Sequence, residues 1–123
     1  MSLQLRGLRT AIYPAPDLAA AKAFWTATLG SEPYFDQPFY VGYAVAGFEL
    51  GLLPDADPAE GVLTYWGVDD VAAAITEAIA GGASAHTPAT EVGDGIVTGS
   101  VRTPDGAVLG LIFNPHFGAD ALG

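Results

Sequence analysis

The chain has no cysteine, which excludes disulfides and thiolate-bound metal. Basic residues are almost as scarce. Arg6, Arg9, Lys22 and Arg102 stand alone against fourteen acidic residues, for a formal charge of −10. Such a charge repels phosphate backbones and anionic lipid surfaces, so no nucleic acid and no membrane is expected as a partner. It reads as solubility alone or as a preference for a cationic ligand. Long hydrophobic runs are missing too. Val108 to Phe113 stops far short of the roughly 20 residues of a membrane-spanning helix, and Gly, Pro or polar residues interrupt the other runs. No succession of charged, apolar and small residues at the N-terminus marks a signal peptide, so the expected compartment is cytoplasmic. Met1-Ser2-Leu3 is assigned no role.

What is present suits one core. With 123 residues, half of them hydrophobic, the chain can bury about two thirds of its unfolded surface and is too short for two ordinary domains. A single domain over residues 1–123 is expected. Asp17 can cap a helix running to about Leu29, with Leu18, Ala21, Trp25 and Thr28/Leu29 on one face and Gly30 closing it. A second helix begins at Asp69/Asp70, carries Val71, Ala74, Ile75, Ala78 and Ile79 on one face, and ends at Gly81-Gly82. A strand-like run precedes each helix, Leu8 to Tyr13 and Val62 to Val68.

The second half repeats the first. Asp17-Leu18-Ala19-Ala20-Ala21 matches Asp70-Val71-Ala72-Ala73-Ala74 at an offset of 53 residues, and Gly47 to Leu53 matches Gly106 to Ile112 at an offset of 59. Between helix and last strand there is room for two more strands in each half, about 33–37 and 39–46, then about 84–88 and 95–103. Thr103-Pro104-Asp105-Gly106 supplies the hairpin turn before the final strand. The expected fold is α+β: two β-α-β-β-β modules, about 7–54 and 61–115, whose curved mixed sheets enclose a cleft with the helices on the outer face.

Paired modules of this order, an Asp-Leu or Asp-Val helix start and a Pro-Asp-Gly turn together resemble the vicinal oxygen chelate superfamily, which includes glyoxalase I, bleomycin resistance proteins and extradiol dioxygenases. The resemblance covers roughly residues 7 to 115. It implies a divalent metal held by His, Glu or Gln from the first and last strand of each module. Here those four positions fall on Thr10, Gly51, Leu63 and Gly110, none of which is a usual ligand. A catalytic site needs about three protein ligands. The remaining candidates, Glu49, His86 and His116, show no metal-binding spacing. No metal and no other cofactor is therefore expected.

If those four positions face inward, alternation along the strands turns Ile12, Glu49, Leu53, Tyr65, Val108 and Ile112 inward with them. It sends Ala11, Tyr13, Leu50, Leu52, Trp66, Leu109, Leu111 and Phe113 outward, under the helices. The candidate ligand-binding set is thus Thr10, Ile12, Glu49, Gly51, Leu63, Tyr65, Val108, Gly110 and Arg102. Glu49 is the inward carboxylate, costly there unless paired or wetted. Tyr65 can stack on a flat ligand. Arg102 faces the helix side after a two-residue hairpin loop and the cleft after a three-residue one. His86 and His116 read as loop-surface residues. Four aromatics and two prolines between Pro33 and Tyr40 read as a lid, a dimer contact or a bulged edge strand.

The functional expectation is a metal-free small-molecule binding protein, homodimeric, that sequesters a neutral or cationic aromatic ligand. Two alternatives stay open: a glyoxalase-, lyase- or dioxygenase-like enzyme with displaced metal or acid-base residues, and a non-catalytic interaction domain with a filled cleft.

Overall fold

Asp17 opens the first helix as the sequence predicts: its side chain accepts from the Ala20 amide, and Gly30 closes the helix at φ 71° with its N–H on the Thr26 carbonyl. Asp70 caps the second in the same way through the Ala73 amide. The structure, a computed structural model, describes residues 4–116; Met1-Ser2-Leu3 and residues 117–123 lie outside the described residues. The described chain divides into two compact units, residues 10–63 and residues 4–9 with 64–116. It is α+β, and each half follows the β-α-β-β-β order.

The first unit is built from β1 (Leu8–Pro14, whose first two residues belong to the other unit), α1 (Leu18–Leu29), β2 (Phe35–Gln37), β3 (Tyr40–Val45) and β4 (Phe48–Leu53). Its strands lie in the order β2-β3-β4-β1, with β1 parallel to β4 and the other pairs antiparallel. Ala46 and Gly47, both at positive φ, make the two-residue turn that sets the β3–β4 register. Val41, Tyr43 and Leu52 are fully buried beside Ala15, with Tyr13, Trp25 and Leu50 packed around them. The Tyr43 hydroxyl meets Thr26 Oγ1 at 2.8 Å and donates to the Lys22 carbonyl at 3.1 Å, so the one polar atom of this buried ring is satisfied by α1. A single 3-10 turn, Pro58–Glu60, follows β4.

The second unit contains β5 (Leu63–Gly67, whose first residue belongs to the first unit), α2 (Val71–Ala80), β6 (Ser84–Gly93), β7 (Ile96–Arg102) and β8 (Val108–Phe113), with its strands in the order β5-β8-β7-β6. β5 is parallel to β8; the other pairs are antiparallel. Its core joins Val68, Val71, Ala74 and Leu111, with Ile75, Val97 and Phe113 against them.

Three strand limits differ from expectation by two residues or more. β2 starts at Phe35 rather than about 33, because Tyr34 is held as a bend by its amide bond to the Gly42 carbonyl at 3.0 Å. β6 runs five residues past 88 to Gly93, with three register shifts against β7, one of which, between Thr87 and Thr90, accommodates Pro88 on an edge strand. β8 starts at Val108 because the Pro104-Asp105-Gly106 loop, Gly106 at φ 91°, closes on the Thr103–Ala107 pair.

Candidate functional site

Residues 10–63 present two faces of one sheet. Tyr13, Tyr43, Leu50 and Leu52 pack toward α1. Alternation places the register partners Thr10 and Glu49, Ile12 and Gly51, and Gly42 and Gly51 on the opposite face. Glu49 lies half-buried there. Its Oε1 accepts from Thr10 Oγ1 at 3.1 Å, and its Oε2 accepts from the Tyr34 hydroxyl. A carboxylate so placed satisfies a buried threonine hydroxyl and keeps further lone pairs available.

The floor of this face is glycine because rings lie on it. A Cβ on Gly42 would stand 2.8 Å from Glu49 Oε2, 3.2 Å from Tyr34 Cε1 and 3.3 Å from Tyr40 Cε2. The space above Gly51 is filled by the Tyr40 hydroxyl and ring edge. Tyr34, Tyr40 and Glu49 therefore form one aromatic and anionic patch over two paired glycines. Tyr34 remains 63% exposed, yet its phenol is held well above the usual tyrosine range, first by partial burial and then by the hydrogen bond to and charge of Glu49.

In the second unit, Leu111, Val97 and Phe113 pack under α2. Gly99 lies on the same face, where a Cβ would come within 2.8 Å of Ile75 Cδ1. Opposite it lie the register pairs Thr98 and Ile112, Ser100 and Gly110, and Arg102 and Val108. Tyr65 pairs with Gly110, and its ring fills the space a Cβ there would need, 2.7 Å from Cδ1. Burial raises the Tyr65 phenol, and its hydrogen bond to Thr98 works against the shift. His86 Nδ1 lies 2.7 Å from Oγ of buried Ser100.

The residues named from sequence thus fall into separate sets. Thr10, Ile12, Glu49 and Gly51 share the face opposite α1. Tyr65, Val108, Gly110 and Arg102 share the face opposite α2, and Leu63 starts the strand that carries Tyr65. The three-residue loop decides Arg102, which shares a face with Ser100 and donates to the Gly106 carbonyl at 2.8 Å. Thr10 and Glu49 are joined by a side-chain hydrogen bond. Sequence reasoning did not assign Tyr34, Tyr40 or the His86–Ser100 pair. The aromatic run from Tyr34 to Tyr40 was the available signal for the first two. His116 Nε2 meets the Asp94 carbonyl at 2.9 Å.

The positions where the resemblance implies metal ligands do not fit a metal. Gly51 and Gly110 lie beneath tyrosine rings that a coordinating side chain would displace. Thr10 is committed to Glu49, and Leu63 has no donor atom. Among the described residues, no three of His, Asp or Glu are grouped to hold a metal ion.

No family model matches the sequence. No curated protein matches it either. Solved structures do share its fold. A variant of methylmalonyl-CoA epimerase from Streptomyces coelicolor, in complex with 2-nitronate-propionyl-CoA, matches with a TM-score of 0.72 at 19% identity, covering 94% of this chain and 99% of its own. An NAD-dependent benzaldehyde dehydrogenase from Legionella pneumophila gives 0.68 at 19% identity, over 85% and 96%. A glyoxalase/bleomycin resistance protein/dioxygenase superfamily member from Vibrio splendidus 12B01 gives 0.64 at 20% identity, over 87% and 99%. The chain has the vicinal oxygen chelate fold. Names this different on one scaffold leave function to the site.

Proposed function

We propose that the chain is a metal-free, single-domain binding protein whose Glu49 face holds a neutral or cationic aromatic small molecule without changing it. The observation that carries this reading is the carboxylate of Glu49 set between the hydroxyls of Thr10 and Tyr34 beside the Tyr40 ring. A cation within about 4 Å of that carboxylate gains on the order of several kcal/mol at an effective dielectric near 20, before desolvation offsets much of it. The two tyrosine rings add stacking and cation–π attraction of the same sign. Tyrosines over the glycines support the metal-free part, since they occupy the space coordination needs. Zinc or manganese near one per chain in the purified protein, lost on substitution of Glu49 or a histidine, would count against it.

The test is calorimetric titration with benzamidine, a flat aromatic cation. Glu49→Gln keeps the shape and removes the charge; it should weaken binding about tenfold, which is about 1.4 kcal/mol. An affinity indifferent to that substitution sinks the reading. A homodimer belongs to the same proposal. The exposed edge strand β2 begins at Phe35 and is followed by Phe39, 61% exposed, and a symmetric partner would cover this apolar edge. Light scattering that shows a monomer at every micromolar concentration argues against it.

One observation favours an enzyme instead: His86 within hydrogen-bond distance of Ser100 is an acid-base pairing. That reading requires a bound ligand to be converted, with conversion lost in His86→Ala. Recovery of unaltered ligand supports the binding protein.

A further inference from the structure

Phe35 belongs to the Glu49 face. Paired residues of neighbouring antiparallel strands share a side of the sheet, so the pairs Phe35 and Gly42, Gln37 and Tyr40, and Ala44 and Glu49 put Phe35 on the same side as Tyr40 and the carboxylate. Asp36 alternates to the other side, where it is ion-paired with Lys22 of α1. The two-residue turn from β2 into β3, Pro38-Phe39, folds the Phe39 ring back onto Phe35 at 6.0 Å between centroids.

These rings meet as corners and not as stacks. Tyr40 lies over Gly42 and Gly51 as a floor, and Phe35 rises from it at 56° with 6.0 Å between centroids, braced at 72° by Phe39. Tyr34 closes the same place: its Cε1 stands 3.2 Å, and Glu49 Oε2 2.8 Å, from the point where a Cβ on Gly42 would lie. Three rings and a carboxylate thus gather over one glycine. Tyr34, Phe35 and Phe39 all remain exposed, a concentration of wet aromatic surface that the core of the unit does not use.

The angles select a shape. Parallel rings clamp a flat group, whereas rings set at 56° and 72° make a corner that a rounded, tetrahedral group fills. The carboxylate selects charge without a hydrogen bond. Each of its oxygens already accepts a hydroxyl, from Thr10 and from Tyr34, and its negative charge stays beside the rings. A quaternary ammonium meets both conditions, because it is tetrahedral, donates no hydrogen bond, and is drawn to ring faces by its positive charge. A primary ammonium brings three N–H donors that need acceptors, which rings do not supply.

We infer that the Glu49 face recognises its ligand through a quaternary ammonium group, seated against Tyr34 and Phe35 beside the Glu49 carboxylate. The inference rests on the binding reading above and adds the chemical group that is bound. A partner chain pairing along the edge of β2 extends the sheet and leaves this face open.

The experiment is calorimetric titration of the full-length protein with benzyltrimethylammonium, benzylammonium and benzamidine, joined to proton NMR of the ligands. Benzyltrimethylammonium should bind about tenfold more tightly than benzylammonium, which has the same skeleton and charge without the methyl groups. Its N-methyl protons should move upfield on binding, because they lie over ring faces. Phe35→Leu keeps an apolar side chain and removes the wall, and should abolish most of that preference. Phe39→Leu, at the exposed turn, should reduce it about threefold and decides the matter if the first variant fails to fold. Equal affinities for benzylammonium and its trimethyl analogue overturn the inference. So do unshifted N-methyl protons, or a preference unchanged in the phenylalanine variants. Benzamidine separates the two claims: if it binds through Glu49 while methylation gains nothing, the earlier reading stands and this one falls. If none of the three cations binds, both fall.

Discussion

Thr10 and Glu49 face each other across β1 and β4, and the threonine hydroxyl donates to the carboxylate at 3.1 Å. The threonine is buried to 6% exposure and the carboxylate is reached by solvent. The pair therefore anchors a wet charge to a dry strand. Thr10→Val keeps the shape and removes the donor. It should cost about 1 kcal/mol in urea unfolding, the usual net value of one such bond. Thr10→Ser should retain most of it. Equal midpoints for the valine and serine variants would show that the bond contributes nothing.

Gly51 is the position where the resemblance implies a ligand and where Tyr40 lies instead. Gly51→Ala drives a methyl group into the phenol end of that ring, and overpacking of this kind costs about 1–3 kcal/mol. The cost should fall toward the lower bound, because the atoms met are the far end of a side chain that can swing. Tyr40→Ala should abolish it. A double-mutant cycle in which the two substitutions simply add would mean that the ring is not there.

The division of faces was legible because both last strands alternate around a glycine: Leu50 and Leu52 flank Gly51, and Leu109 and Leu111 flank Gly110. Period two forces such neighbours to opposite sides, and the cores confirm it at Leu50, Leu52 and Leu111. Helix limits were legible from Asp17, Asp70 and Gly30, each a cap with its own chemistry. Tyr34 was not, since it lies outside any strand, and its hydroxyl meets Glu49 only because its amide bond to Gly42 and the β3–β4 register bring the two residues together. The far half of β6 was hidden for the opposite reason. All ten residues of that strand are exposed, so no apolar alternation marks it, and Pro88 reads as a breaker. Arg9 escaped notice because its place depends on close approach to Gly67, a contact between distant residues that no local pattern encodes.

Gly99 gives a prediction confined to the second unit. A Cβ there would stand 2.8 Å from Ile75 Cδ1, 3.0 Å from Val71 Cγ1 and 3.2 Å from the Thr87 carbonyl, with α2 on one side and an edge strand on the other. Gly99→Ala should destabilise by about 1–3 kcal/mol. Ile75→Val removes the nearest methyl and should recover part of that loss when combined with it. Thermal unfolding of the three variants measures the coupling; an additive double variant would place the helix farther from β7 than the distances require.

The last prediction concerns alkaline pH. Tyr34 has its phenol raised by partial burial, then by the hydrogen bond to Glu49 and its charge; Tyr65 is raised by burial, against the bond to Thr98. For each, the folded state keeps its proton where the unfolded chain has already lost it. Unfolding then releases protons, and stability falls as pH rises. The contribution is fully present below about pH 10, the ordinary tyrosine value, and is lost from there upward through the folded-state value. Urea unfolding between pH 8 and about 11 should show this decline in the native chain. Tyr34→Phe should make it shallower, and Tyr34→Phe with Tyr65→Phe shallower still. Glu49→Gln should act in the direction of Tyr34→Phe, because it removes the negative charge that opposes ionisation of the phenol. A pH slope identical in the native protein and in Tyr34→Phe would show that the phenol ionises as freely as in the unfolded chain. The bond from Tyr34 to Glu49 would then not hold in solution, and the aromatic patch would lose the contact that positions its carboxylate.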